Sequence, residues 1–267
     1  MSRRARLDAE LVRRGLARSR EQAAELVTAG QVRVPGRAAV KPATQVAPGD
    51  PIVVAERAGP AYVSRGGPKL AGALDAFARA GLSVGGRTAL DAGASTGGFT
   101  DVLLQRGARA VICVDVGYGQ LAWSVRSDPR VTVLDRTNVR DLTPEAVGCL
   151  VDISVADLSF VSLRTVLPAL TRVTRSDGDL VVMVKPQFEV GRAALGSGGV
   201  VRDPAQRAGA VLSVAEAAYT LGRGAAGVTA SPLPGPAGNV EYFLWLRAGA
   251  PPLAAADLTT AVAEGPQ

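Results

Sequence analysis

The stretch Leu90-Asp91-Ala92-Gly93-Ala94-Ser95-Thr96-Gly97-Gly98-Phe99 decides the fold. A short apolar run ends in a carboxylate, a loop of small residues with two adjacent glycines follows, and an amphipathic segment runs from Phe99 to Gly107. This predicts strand, glycine loop and helix, the opening of a nucleotide- or cofactor-binding α/β unit. The glycines let a ligand lie against bare backbone, and the helix start offers unpaired N–H groups to a carboxylate or phosphate.

Outward from this loop the chain alternates strand and helix. Strands are expected at Thr88–Asp91, Ala110–Asp115, Val131–Leu134, Ile153–Asp157 and Leu180–Lys185. One helix opens with Thr143 as N-cap and Pro144 in its first turn, and a longer one runs from Pro204 to Leu221 with Gly222 as its stop. Gly227–Pro232 and Val240–Leu246 flank a turn-rich connection suited to a hairpin. The expected class is therefore α/β: a Rossmann-like, mostly parallel sheet whose last strand is antiparallel. That layout resembles methyltransferases that bind S-adenosylmethionine more than dinucleotide dehydrogenases, a fold-level analogy.

The 267 residues are 47% hydrophobic, enough for a packed core, and leave room for one α/β domain plus a small extra one. No apolar run approaches membrane-spanning length, and no hydrophobic region follows Met1-Ser2-Arg3-Arg4-Ala5-Arg6, so neither a span nor a signal peptide is expected. Cys113 lies inside an apolar run and Cys149 is isolated; with no histidine, a zinc site and a histidine general base are excluded and no metal is expected. These features fit a cytoplasmic protein.

Charge is unevenly spread. Residues 1–65 hold 12 Lys/Arg against 6 Asp/Glu, whereas the remainder balances 18 against 18. A basic module on a neutral body suggests a polyanion-binding attachment to a catalytic unit. Only three of the 30 basic residues are lysines, Lys41, Lys69 and Lys185. Arginine cannot give up its proton and lysine can, so scarce lysines are candidates for work that arginine cannot do.

Within residues 6–57, Leu7, Leu11 and Val12 mark one helical face closed by Gly15. Ser19 and Gln22 form a capping box that opens a second helix, with Ala23, Leu26 and Val27 inward and Gly30 as its stop. Short extended pieces follow at Val32–Val34 and Pro51–Val54. Arg3, Arg4, Arg6, Arg18, Arg20 and Lys41 fall at helix starts and in loops, where they can converge on phosphates. Arg6-Leu7-Asp8, Gly15 to Arg20, Ala29 to Val32, Val40-Lys41-Pro42 and Gly49-Asp50 resemble the ribosomal S-four-type RNA-binding domain. The expected organisation is this domain over 1–57, a linker over 58–66, a catalytic body over 67–250 and a tail over 251–267.

Polar residues mark the strand ends of the body, where such sheets deliver function. Asp91 precedes the glycine loop; Asp115 ends the second strand, where a carboxylate would bind ribose hydroxyls; Asn138 could reach an adenine. Asp157, with Leu158-Ser159-Phe160, ends the fourth strand, and Lys185-Pro186-Gln187-Phe188 the fifth. With Lys69 at a helix head and Glu241 at the start of the last strand, the order Lys, Asp, Lys, Glu resembles the catalytic tetrad of FtsJ-like ribose 2'-O-methyltransferases. The whole chain from residue 3 to about 247 resembles the TlyA family, historically called haemolysins. The most specific runs are Ser64-Arg65-Gly66, Asp91 to Thr100, Asp115 to Leu121 and Lys185 to Glu189; Tyr62 and Gly67-Pro68 depart from the family pattern.

The resemblance implies 2'-O-methylation of cytidine in ribosomal RNA, 16S and/or 23S, by a monomer that uses S-adenosylmethionine and meets ribosomal subunits, without metal or membrane. Gly93, Ser95, Thr96, Gly97, Gly98 and Phe99 would take the methionine end of the cofactor with Asp91 and Asp157, and Asp115 and Asn138 its nucleoside. Lys69, Asp157, Lys185 and Glu241 would act at the ribose. By its own length and glycine content, 192–202 suits either a mobile flap or an ordinary surface loop. Two other readings remain. Asp157-Leu158-Ser159-Phe160 also suits a base-directed enzyme, with Phe160 stacking on a flipped base, and a non-catalytic RNA-binding assembly protein would share the basic module. The segment Leu253 to Glu264 is too short and polar to span a bilayer, against the pore-forming label.

Overall fold

A computed structural model describes residues 4–17, 19–28, 30–37, 40–54, 62–191 and 195–266. Arg3, Arg18 and the beginning of the flap-or-loop segment (192–194) lie outside the described residues. The chain divides into two compact units, Met1–Ala61 and Tyr62–Gln267.

The first unit carries β1 (Ala5–Arg6), α1 (Leu7–Arg13), α2 (Arg20–Thr28), β2 (Val32–Arg33), β3 (Gln45–Val46) and β4 (Val53–Val54). Ser19 Oγ accepts from the Gln22 N–H at 3.1 Å, so α2 is capped where the sequence places its start. Leu7, Leu11, Ala23 and Val27 join Val32, Val34 and Val46 in a small core. Two pairings, β1 with β3 and β2 with β4, close it. Strands β1 and β3 carry no apolar run of their own; antiparallel pairing of Ala5 with Val46 makes them.

The second unit starts with α3 (Gly66–Ala78) and β5 (Thr88–Ala92), α4 (Gly98–Gln105), β6 (Ala110–Val114), α5 (Trp123–Arg126), β7 (Val131–Leu134) and α6 (Pro144–Val147). It continues with β8 (Val151–Ala156), α7 (Leu163–Val173), β9 (Thr174–Val184), α8 (Pro186–Glu189), α9 (Pro204–Thr220), β10 (Arg223–Ala230), β11 (Tyr242–Ala248) and α10 (Ala255–Ala263). One seven-stranded sheet has the order β10-β11-β9-β8-β5-β6-β7, with β11 antiparallel to both neighbours. The expected α/β class holds, and the central strands are apolar on both faces because helices cover both.

Two differences and one agreement have local causes. Strand β9 begins at Thr174, six residues before the expected Leu180, although Arg175, Ser176 and Asp177 are polar and exposed. The buried Arg223 guanidinium donates to the carbonyls of Arg175 (2.7 Å), Ser176 (3.0 Å) and Gly178 (2.8 Å), tying down a segment that apolar patterning misses. The helix expected to open at Thr143 does so: Thr143 Oγ1 accepts from the Ala146 N–H, Pro144 stands in the first turn, and Gly148 at φ +85° closes it after one turn. Residues 251–267 carry α10, whose Leu258 and Ala261 are buried in the core of the second unit.

Candidate active site

Functional side chains collect at one edge of the sheet, the carboxyl ends of its parallel strands. Asp91 lies in β5, Asp115 follows β6, Asp157 follows β8, Lys185 follows β9 and Glu241 precedes β11. Alternation decides which face they take. Ala89, Ile153 and Val155, Val181 and Met183, and Phe243 and Trp245 all pack in the core cluster shared with α3 and α4. Asp91, Asp157, Lys185 and Glu241 keep the same parity and face the same side.

Two ion pairs result. Lys69 Nζ, in the first turn of α3, lies 2.5 Å from Glu241 Oε2, with both residues buried. Lys185 Nζ lies 2.6 Å from Asp157 Oδ1 and donates to Ser159 Oγ at 2.9 Å. The Asp157 contact is a close charge pair without hydrogen-bond alignment. Val184 pairs with Tyr242, so the next antiparallel step sets Lys185 opposite Glu241, with Cα atoms about 5 Å apart. The four side chains therefore come from adjoining strand ends and the helix above them. The departures near Lys69 fit one another: a Cβ at Gly67 would collide with the Tyr62 ring, so the buried tyrosine packs on bare backbone beside the head of α3.

Beside the Lys185–Asp157 pair opens a cavity lined by Ser64, Gly66, Ala94, Ser95, Thr96, Phe99 and Asp157 together with Gly93 and Gly98. Its volume, about 100 Å³, is below the roughly 300 Å³ of pockets that enclose a drug-sized molecule, so it takes one end of a longer ligand. Gly93 sits at φ +86°, and a Cβ there would collide with the Asp157 carbonyl; a Cβ at Gly98 would collide with Ser64 Oγ. Helix α4 opens with no side-chain cap, leaving N–H groups for an anionic group. Ser64 and Gly66, which belong to the expected linker, are wall residues; the specific run Ser64-Arg65-Gly66 marks them in the sequence, but their place at the cavity shows only in the fold.

Asp91, two residues before Gly93, is fully buried and does not itself line this cavity. Its Oδ2 accepts from Thr100 Oγ1 at 2.6 Å, and its Oδ1 has no partner. Burial, outweighing the Thr100 hydrogen bond and reinforced by the Asp157 charge, pushes its carboxyl up to about 7. Cys113 Sγ, 3.0 Å from Thr100 Oγ1, is pushed up to about 12 by burial and by Asp91, so it stays a thiol. An unpaired, buried carboxylate oxygen two residues before bare glycine backbone suits the ammonium of an amino-acid group, and the helix start suits its carboxylate. The residues present fit the methionine end of S-adenosylmethionine.

The other predicted positions are less simple. Asp115 accepts from the N–H groups of Ser95 (2.8 Å) and Gly117 (2.7 Å), and so braces the glycine loop. It holds Ser95 at φ +46°, a strained value for a residue with a side chain. Asn138 caps the short turn Val139–Asp141 by accepting from the Arg140 N–H, and it does not line the cavity. Phe160 is 92% exposed, at φ +62°, with its ring 5.2 Å from that of Phe188. In the first unit Asp8 Oδ2 accepts from both Arg6 (2.8 Å) and Arg20 (3.2 Å), gathering two half-exposed guanidiniums. The Arg6 hydrogen bond holds the Asp8 carboxyl down at about 2. Arg4 and Lys41 are exposed, and the turn after Lys41 meets the head of α1, where the Asp8 N–H donates to the Pro42 carbonyl at 3.0 Å.

Comparison with known proteins decides the family. The model of the FtsJ-like methyltransferases matches residues 62–248, and that of the S4 domain matches residues 5–52. The 16S/23S rRNA (cytidine-2'-O)-methyltransferase TlyA of Mycobacterium tuberculosis is 64% identical over 92% of this chain and 91% of its own. The chain belongs to the TlyA family of FtsJ-like methyltransferases. Another relative, Hemolysin A of Brachyspira hyodysenteriae, is 35% identical over 89% of this chain and 98% of its own. A solved structure of a hemolysin-named protein from Streptococcus thermophilus superposes with a TM-score of 0.77 at 36% identity, covering 99% of this chain and 96% of the other. No described helix is long and apolar enough to cross a membrane, and no described group of three or more His, Cys, Asp or Glu could hold a metal.

Proposed function

We propose that this chain methylates the ribose 2'-oxygen of cytidine in ribosomal RNA, 16S and/or 23S, with S-adenosylmethionine as donor and with Lys69, Asp157, Lys185 and Glu241 acting at the hydroxyl. The observation that carries it is the pair of lysine–carboxylate contacts, 2.5 Å and 2.6 Å, on one edge of the sheet beside the glycine cavity. The 64% identical relative bears the name of that activity.

When bound, S-adenosylmethionine supplies an electrophilic methyl group on a sulfonium centre. Gly93 and Gly98 backbone, Ser95, Thr96 and the start of α4 would hold its amino-acid end, and the unpaired Asp91 Oδ1 would be the acceptor for its ammonium. Asp115 and Asn138 are assigned to its nucleoside. A ribose hydroxyl is a weak nucleophile, so the chain's own task is alignment and proton removal. Lys185 Nζ orients the hydroxyl and accepts its proton while passing one of its own to the buried Asp157 Oδ1, 2.6 Å away. Lys69 and Glu241, a buried pair, hold the ribose in line. Arg4, Arg6, Arg20 and Lys41, with Arg3 and Arg18, contact RNA phosphates, and Phe160 meets a base. The arrangement suits a cytoplasmic enzyme that works on ribosomal subunits as a monomer.

Two cleft lysines favour this over base methylation, which needs no such pair. The test supplies labelled S-adenosylmethionine to each isolated subunit and maps the product by alkaline hydrolysis. A single nucleotide resistant to alkali is expected, because a 2'-O-methyl blocks cleavage; a methylated but alkali-sensitive nucleotide overturns the reading. Lys185→Ala is expected to lose ~10²- to 10⁴-fold in turnover, and near-normal turnover in Lys185→Arg contradicts proton acceptance.

A further inference from the structure

Three contacts join the segment after β8 to the segment after β9. Lys185 reaches Asp157 and Ser159; Phe188 lies against Phe160; and Glu189 reaches the head of α7. The third has no place in the chemistry described above. Glu189 is buried, yet both its oxygens are engaged: Oε1 accepts from the Leu163 N–H at 2.7 Å and Oε2 from Ser162 Oγ at 2.5 Å. Arg164 Nε stands 3.5 Å from Oε2 at the surface. A carboxylate at the start of α7 is favourably placed against unpaired N–H groups.

The segment that Glu189 grips would not hold its shape alone. Between Asp157 and Ser162 the chain has no regular structure, and Phe160 sits in the left-handed region at φ +62°. Such a backbone persists only when its surroundings over-determine it. Glu189 closes the far end of this loop four residues after Lys185 closes the near end, so α8 works as a two-pronged brace.

We propose that Glu189 is a positioning residue: by latching Ser162 and Leu163 it holds the loop carrying Asp157, Ser159 and Phe160 at the distance Lys185 needs. This rests on the chemical role given above to Lys185 and Asp157. It acts through the loop and touches no reacting group.

The test compares Glu189→Ala, Glu189→Gln and Lys185→Ala in the full chain. Measured are turnover per folded molecule, affinity for S-adenosylmethionine and the unfolding midpoint. Glu189→Ala is expected to lower turnover by up to about 100-fold, the scale of an ångström misplacement, with cofactor affinity within about 2-fold. Glu189→Gln keeps an acceptor for the Leu163 N–H and offers its amide to Ser162 Oγ, so it restores turnover. If Glu189→Ala does not fold, Ser162→Ala removes one of the two bonds and is expected to give a smaller loss in the same direction. Unchanged turnover per folded molecule in Glu189→Ala, or in Ser162→Ala when it stands in, overturns the latch, as does a Glu189→Gln enzyme no better than Glu189→Ala. Near-normal turnover in Lys185→Ala sinks the chemical reading and the latch with it; loss there with normal Glu189→Ala sinks the latch alone.

Discussion

Asp91→Asn tests whether the buried carboxyl near the end of β5 is held as a neutral acid. The Asp91 carboxyl is raised from 3.8 to about 7, chiefly by burial. Between those values the unfolded chain has lost its proton and the folded chain keeps it. Stability therefore falls as pH rises, by about 1.4 kcal/mol per pH unit from this group. The full penalty, reached above pH 7, is about 4 kcal/mol. Asn cannot ionise and removes the penalty. Its oxygen can still accept from Thr100, but its NH₂ then occupies the place of Oδ1, which has no partner, and a buried unsatisfied donor costs ~1–3 kcal/mol. The variant should be less stable than the parent near pH 4 and equal or more stable at pH 8. Urea unfolding at several pH values measures this, followed by tryptophan fluorescence because Trp123 and the buried Trp245 both report on the second unit. Asp8 and Glu10, held down at about 2 by their arginines, lend stability above pH 4.5 that is lost on acidification in parent and variant alike, and so cancel in the difference. Glu189, raised by burial, adds a slope of the same sign in both proteins and cancels in the difference. A stability difference between parent and variant that stays constant from pH 5 to 8 refutes the reasoning.

Gly98→Ala would push a methyl against Ser64 Oγ and to 3.0 Å from the Gly67 nitrogen. Overpacking of about 1–3 kcal/mol should weaken S-adenosylmethionine binding roughly 5- to 150-fold by calorimetry, and unchanged affinity counts against a cofactor seat here. Removal of residues 1–57 should abolish methyl transfer to ribosomal RNA while residues 62–267, a separate compact unit, still bind the cofactor; full transfer by the shortened chain contradicts the role of the basic module.

The local parts of this protein are legible in its sequence because they depend on near neighbours. The glycine loop, the parallel strands and the Ser19 cap follow from small residues, uninterrupted apolar runs and a hydroxyl three residues before an N–H. The scarcity of lysine singles out Lys69 and Lys185 before any coordinates. Other features appear only when the sheet closes. Lys69 and Glu241 meet across 172 residues, and nothing local to either predicts the partner. The early start of β9 depends on the Arg223 side chain reaching back from another strand, and Ser64 becomes a cavity wall because Gly98 has no Cβ to exclude it. Asn138 and Asp115 show the limit in reverse: the sequence places them at strand ends, but unpaired backbone N–H groups nearby engage their side chains. Covalent order determined which elements form and which residues reach the sheet's edge. Long-range packing alone decided how those side chains pair and what each is free to touch.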